Sequence, residues 1–216
     1  MSLTLYFHPL SSFCQKVVMA LYENGTPFAP KLIDLGDQAS RAELLAVWPI
    51  GKFPVLHDDA GNRIVPESTV IIEYLARHYP GHVPLVPADP DLALATRLRD
   101  RFYDLHVNQV MQAIVGDRLR PAGSKDPFGV AQAKTRLQTA YAVIEREMAS
   151  RTWATGDAFT MADCAAAPAL FYADKVVPFC DAHPVAAAYF ARLMRRPSFE
   201  RVLAEAKPYL DLFPRE

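Results

Sequence analysis

Pro54-Val55-Leu56-His57 and Arg63-Ile64-Val65, joined by Asp58-Asp59-Ala60-Gly61-Asn62, form the stretch on which the fold turns. Two short apolar runs around a loop of turn-forming residues read as a β-hairpin. Ser68 follows directly and opens a helical pattern with Ile71, Tyr74, Leu75 and His78 along one side, closed by Tyr79-Pro80-Gly81. Upstream of the hairpin the order is strand, helix, strand, helix. Leu3 to Phe7 is a β-type run, and Ser11-Ser12 precedes a helix with Phe13, Val17, Ala20 and Leu21 apolar. Serine there supplies an oxygen to the free N–H groups of a helix start. Asn24-Gly25 ends that helix, since both tolerate positive φ. Lys31 to Leu35 reads as a second strand, parallel to the first because a helix intervenes, and Ser40 to Val47 as a short helix. The N-terminal order is therefore βαβαββα.

Beyond residue 80 the character changes. Pro80, Pro84, Pro87 and Pro90 exclude a continuous helix and mark residues 81–91 as a linker between an N-terminal unit, 1–80, and an all-helical unit, 92–216. Helical patterns follow at 92–119 and 128–150, the latter with Val130, Lys134, Leu137, Tyr141, Ile144 and Met148 on one face. Thr160 and Asp163 fit a capping box before a helix over 164–177, and shorter helices cover 185–195 and 198–206.

Composition excludes several classes. The 216 residues are 51% hydrophobic and 22% charged, as in a folded domain, with a formal net charge of -1 that gives nucleic acid no basic surface. The N-terminus lacks a basic leader and the longest charge-free apolar stretch of the C-terminal half, Cys164 to Ala173, contains Pro168, so neither secretion nor a membrane span is expected. Three widely spaced cysteines, Cys14, Cys164 and Cys180, fit a reducing cytoplasm rather than a disulfide framework. Gly51-Lys52 is not a phosphate loop, because Ala46 and Phe53 stand where that motif needs Gly and Ser or Thr. No C-x-x-C accompanies the six histidines, and no metal is expected.

Three segments remain: Pro9-Leu-Ser11-Ser-Phe-Cys14-Gln-Lys-Val17, Trp48-Pro-Ile-Gly51-Lys52-Phe53-Pro54-Val55-Leu56, and Pro66-Glu67-Ser68-Thr-Val-Ile71. Their order and separation resemble the cytosolic glutathione transferase family, in its serine-type branch of theta-, zeta- or delta-like bacterial members. The resemblance covers about residues 3 to 79; the helical remainder agrees in architecture and in the capping box. It implies a thioredoxin-like N-terminal domain that binds glutathione, an all-α C-terminal domain, a cytoplasmic homodimer, and transfer of glutathione to a small hydrophobic electrophile, as in detoxification. The alternatives it leaves are a non-catalytic binding or regulatory protein and a glutathione-dependent isomerase or peroxidase.

The resemblance assigns roles by position. Ser11 occupies the place of the catalytic hydroxyl, which donates to the glutathione sulfur and favours its thiolate; Ser12 is the rival one residue away. Lowering a thiol pKa by about 2 units takes roughly 2.7 kcal/mol, within reach of a charge-assisted hydrogen bond plus a helix N-terminus. As a plain alternative, Ser11 is an N-cap. Cys14 reads as a buried apolar residue. Pro54 is expected after a cis bond, which leaves Phe53 free to pair with the cysteinyl backbone. Glu67 and Ser68 suit the ammonium and carboxylate of the γ-glutamyl end. Lys52 suits the glycyl carboxylate or stands solvated, and Gln38 is a further contact. Pro9, Leu10, Phe102, Tyr103, His106 and Met111 are candidate walls for the second substrate, or core. Asp100 or Asp104 meets the γ-glutamyl ammonium or forms a surface salt bridge. Trp48, where the family more often has Asn, and Thr69-Val70 leave the subclass open, and Phe13 between Ser12 and Cys14 departs from the Ser-Ser-Cys of the maleylacetoacetate isomerase branch.

Overall fold

The computed structural model describes residues 2–214. Four strands, β1 (Leu3–Phe7), β2 (Ala29–Leu32), β3 (Val55–Asp58) and β4 (Arg63–Pro66), form one sheet in the order β2-β1-β3-β4. β1 and β2 are parallel, and the β1–β3 and β3–β4 pairs are antiparallel. Helices α1 (Ser12–Glu23), α2 (Gln38–Val47) and α3 (Ser68–His78) connect or follow these strands. The C-terminal half is helical: α4 (Pro90–Phe102), α5 (Gln109–Arg118), α6 (Pro127–Met148), α7 (Met161–Val176), α8 (Pro184–Met194) and α9 (Pro197–Ala206). The βαβαββα order and the helical remainder agree with the sequence reading.

Several boundaries differ for local reasons. β2 starts at Ala29 and stops at Leu32; Pro30 is tolerated because β2 is an edge strand. The chain then turns where Gly36 N–H donates to Asp34 Oδ1 at 2.8 Å. Asp37 caps α2 by accepting from Ser40 N–H, so that helix begins at Gln38 rather than Ser40. The pattern at 92–119 is not one helix. α4 starts at Pro90, capped by Asp89, and a π-helical turn over Tyr103–Asn108 separates it from α5. On α6, Ala133 takes the buried place expected of Lys134, which is exposed; on α3, Ile72 does so for His78. Pro168 does not interrupt α7, which is buried along most of its length and held by packing. A 3-10 turn over Lys207–Leu212 extends the chain past the last predicted helix.

α7 starts in a complete capping box. Thr160 N–H donates to Asp163 Oδ2 at 2.9 Å, and Ala154 N–H and the Tyr189 hydroxyl reach Oδ1 at 2.8 and 2.7 Å. Burial pushes the Asp163 carboxyl up to about 6, against hydrogen bonds that favour its charge.

α1 lies between the sheet and the C-terminal helices and carries its polar groups inward. Lys16 is 1% exposed, and its Nζ meets Asp100 at 2.6 Å, Asp104 at 2.8 Å and Thr69 Oγ1 at 2.9 Å. The aspartate pair is thus buried, not a surface salt bridge. Burial, and after it the charge of Asp100, raises the Asp104 pKa despite Lys16. At the other end of α1, Glu23 takes Arg196 at 2.8 and 2.6 Å and also accepts from Ser198. Removing one member of a buried ion cluster strands the others without compensation. Lys16→Ala is therefore expected to lower stability by about 3–5 kcal/mol, measured by urea unfolding; a loss below 1 kcal/mol contradicts this account of the interface.

Candidate functional site

A cleft of about 440 Å³ opens where the C-terminal end of β1, the start of α1 and the C-terminal helices meet. Its floor is the turn from His8 to Ser11. Ser11 N–H donates to the His8 carbonyl at 3.0 Å, and Leu10 N–H donates to His8 Nδ1 at 3.2 Å. That turn ends β1 and delivers Ser11 to the N-cap of α1, where its Oγ accepts Cys14 N–H at 3.3 Å. An accepting hydroxyl keeps its hydrogen for another partner. Ser11 is partly exposed in the cleft.

Ser12 also borders the cleft but is 4% exposed, and its Oγ donates to Asn108 Oδ1 at 2.9 Å. Its hydroxyl hydrogen is committed to the C-terminal half. Cys14 is fully buried, and burial pushes its thiol up to about 12, which makes it an apolar core residue and a poor nucleophile.

The Phe53–Pro54 bond is cis, as expected from the resemblance, and Phe53 lines the cleft. Lys52 and Gln38 are exposed and do not line it. Glu67 and Ser68 line a neighbouring concavity on the other side of the α1 start, with Phe13, Thr69, Arg101, Asp104 and Gln109. Glu67 stands at the N-cap of α3 with φ 70 and ψ 117, a left-handed conformation costly for a residue with a Cβ. This geometry leaves the Glu67 carboxylate exposed beside the buried Ser68 and the N-terminus of α3. Asp104 reaches that concavity, but both Asp100 and Asp104 are engaged by Lys16.

Of the residues proposed for the second-substrate wall, the cleft contains Leu10 and Met111. Pro9 faces the opposite side of the turn, in a small hollow with Val18 and Val202, and its carbonyl accepts from Gln15 Nε2 at 2.8 Å. Phe102 and His106 line a separate groove with Arg136 and Val143, and Tyr103 is buried in the core. The π turn explains the difference: its extra residue per turn shifts the phase expected from one continuous helix.

Other walls escaped the sequence reading. Ile33, Asp34, Leu35 and Gly36 come from the loop after β2, Gln112 and Val115 from α5, and Tyr172 from α7. Leu212, Phe213 and Pro214 come from the chain end, where Phe213 stacks on Tyr172 at 5.3 Å between ring centroids. Val115 lies one helical turn from both Met111 and Gln112 on α5, a spacing legible in the sequence. Nothing local announces the C-terminal contribution. His8 is a further wall that the sequence reading did not include. Its ring lies between Phe53, stacked at 6.3 Å, and Tyr209, edge-on at 5.1 Å.

Among the described residues, no group of three or more His, Cys, Asp or Glu is arranged to hold a metal ion. Among the described residues, no helix is long and apolar enough to cross a membrane.

Comparison with known proteins supplies the family context. The family models for the N-terminal and C-terminal domains of glutathione S-transferase match residues 5–83 and 102–197. Glutathione S-transferase 3 of Zea mays is 32% identical over 211 residues, covering 94% of this chain and 93% of that protein. FtsZ-localized protein A of Caulobacter vibrioides is 29% identical over 216 residues, with 96% and 93% covered. A glutathione S-transferase from Methylobacterium radiotolerans, crystallised with glutathione sulfonate, superposes with a TM-score of 0.82 at 29% identity, covering 94% of each chain.

The surroundings of His8 set a pH signature. Burial lowers its pKa, and the nearby Asp34 carboxylate offsets this only partly. The unfolded chain therefore takes this proton first as pH falls through about 6.5, and stability contributed at this site declines from there toward the lower folded value. The ¹H–¹⁵N imidazole titration of His8 is expected to give a midpoint below about 6.5, with the neutral ring protonated on Nε2. A midpoint above that value refutes this reading of the cleft.

Proposed function

Because this chain belongs to the glutathione S-transferase family, we propose that it binds glutathione across the start of α1 and activates the thiol, beside Ser11, for attack on a small hydrophobic electrophile. The observation that carries this reading is the Ser11 hydroxyl: it accepts from Cys14 N–H and keeps its own hydrogen for a ligand in the cleft. A donor there stabilises a thiolate more than a thiol, and the free N–H groups of the α1 N-terminus add to the effect. Ser11 acts on the nucleophile and does not attack. Ser12, already donating to Asn108, serves to hold α1 against the π turn.

The remaining tripeptide contacts follow from the chemistry of the neighbouring groups. Phe53, next to the cis bond, pairs with the cysteinyl backbone. The exposed Glu67 carboxylate takes the γ-glutamyl ammonium, while Ser68 and the α3 N-terminus take the α-carboxylate. Arg101, in the same concavity, adds positive charge beside that carboxylate. Lys52 and Gln38 are left as rim contacts for the glycyl end. Orientation of the thiol next to its acceptor supplies a further part of the rate. The acceptor occupies the apolar part of the cleft, against Leu10, Met111 and Phe213.

A second reading has its own support. The similarity to FtsZ-localized protein A extends over 96% of this chain, and a binding protein without turnover fits the same fold. The free hydroxyl of Ser11 favours catalysis between the two. We further assign a cytoplasmic homodimer. Val70, Leu94 and Leu98, on the α3 and α4 faces joined by the Arg97–Glu73 pair, are 52%, 66% and 61% exposed and suit burial against a second copy.

Ser11→Ala is expected to reduce kcat/KM for conjugation about 10–100-fold, the loss of one charge-assisted hydrogen bond, and to raise the pKa of bound glutathione as read by thiolate absorbance. Ser12→Ala should instead lower stability by about 1–2 kcal/mol and leave the thiolate signal in place. Glutathione binding without turnover of any electrophile would favour the binding-protein reading. Sedimentation equilibrium should return twice the chain mass, and Leu94→Glu with Leu98→Glu should return the single-chain mass.

A further inference from the structure

We propose that Tyr172 is a second catalytic donor: its phenol O–H bonds to the thiolate of bound glutathione, together with the Ser11 hydroxyl. This deepens the transferase reading and rests on it. The two fail separately, because one requires uptake of glutathione and the other an effect of Tyr172 on its ionisation.

Tyr172 lines the cleft from α7 and is 2% exposed. Gln15 Nε2 donates to its Oη at 3.0 Å and to the Pro9 carbonyl at 2.8 Å. The Pro9 carbonyl can only accept, which fixes the Gln15 amide with its nitrogen on this side. The Tyr172 oxygen is therefore the acceptor in its bond to Gln15 and keeps its own hydrogen. Among the described residues, no group takes that hydrogen. A buried O–H without an acceptor is costly, and the cleft is the open space that Tyr172 borders.

The hydroxyl is also held close to the turn that carries Ser11. Tyr172 and Pro9 share one amide nitrogen, so two hydrogen bonds join the phenol to the turn just before Ser11. Phe213 stacks on the ring at 5.3 Å between centroids. A donor fixed in this way needs no reorganisation when charge appears on a ligand.

An anion in this cleft depends on neutral donors. Among the described lining residues there is no lysine or arginine, and Asp34 is a carboxylate. The N-terminus of α1 is partly occupied, since Cys14 N–H donates to Ser11 Oγ and Gln15 N–H to the Ser11 carbonyl. Ser12 gives its hydrogen to Asn108. A thiolate accepts more than one hydrogen bond, and a charged acceptor gains about twice as much from a donor as a neutral one. A phenol O–H is more acidic than that of serine and so donates more strongly. Burial raises the Tyr172 pKa, with the Gln15 bond opposing, so the phenol stays protonated where the thiolate forms. The thiol proton leaves to solvent and the phenol hydrogen stays on its oxygen. No covalent bond of Tyr172 is made or broken.

Tyr172→Phe keeps the ring and its stacking on Phe213 and removes only the hydroxyl. Followed by ultraviolet thiolate absorbance, glutathione bound to this variant is expected to ionise with a midpoint about 1 unit higher than on the unmodified protein. S-Methylglutathione, which has no ionisable thiol, should bind both proteins with Kd values within about a factor of two by calorimetry. An unchanged glutathione midpoint overturns the proposal. A comparable loss of affinity for S-methylglutathione also overturns it and makes Tyr172 a support for the shape of the cleft. In the unmodified protein, the Tyr172 hydroxyl proton is expected to move downfield in NMR spectra when glutathione is added above its midpoint, and to stay in place with S-methylglutathione. No difference between the two ligands counts equally against the donor. If the unmodified protein takes up no glutathione, the transferase reading falls and this proposal with it. If it binds glutathione and lowers the midpoint without help from Tyr172, only this proposal falls.

Discussion

The structure depends on a helix that is buried on nearly every side yet is not apolar. α1 carries Ser12, Gln15, Lys16 and Glu23, and each finds its partner in the C-terminal half: Asn108, Tyr172, the Asp100–Asp104 pair and Arg196 with Ser198. Buried polar groups of this kind tolerate few arrangements, because a displaced partner leaves a desolvated charge or an unmade hydrogen bond. Apolar contact alone would let two packed surfaces slide past one another. These four attachments, spread along α1, set both its rotation and its depth against the C-terminal helices.

That registration explains the cleft. Ser11 is the N-cap of the helix so held, and His8 begins the turn that leads into it. Their positions relative to α5, α7 and the chain end are set by bonds formed elsewhere along α1. The π turn over Tyr103–Asn108 contributes directly: it places Asn108 against Ser12 and shifts the phase of the following helix, so that Met111, Gln112 and Val115 line the cleft while Phe102 and His106 do not. An irregular turn inside a long helical stretch thus lies next to the chemistry, where such turns are often found.

The two concavities beside the start of α1 differ in character. One joins Glu67, Ser68, Arg101 and Asp104 near a helix N-terminus and suits a zwitterionic ligand. The other is mostly apolar, with polar groups at His8, Ser11, Ser12, Asp34, Gln112 and Tyr172. Between them lies the first turn of α1, with its own positive end. A ligand that is charged at one end and carries a thiol in the middle fits that sequence of environments, and an uncharged acceptor fits the far side.

Much of this was legible in the sequence. The hairpin over residues 54–66 and the serine-capped helices follow from local turn and capping chemistry, which acts between neighbours in the chain. The cis bond before Pro54 and the candidate roles of Ser11, Glu67 and Ser68 came from motif resemblance, because their spacing is preserved in the linear order. What tertiary structure decided was everything that joins distant segments: Lys16 with Asp100 and Asp104, Ser12 with Asn108, and the closure of the cleft by Leu212, Phe213 and Pro214. It also separated Ser11 from Ser12. One residue apart on the chain, they differ because one hydroxyl meets a buried amide from the other half and the other faces open space. Periodicity reports which face of a helix is buried, but not which element covers it, and the partners are found only when the chain has closed on itself.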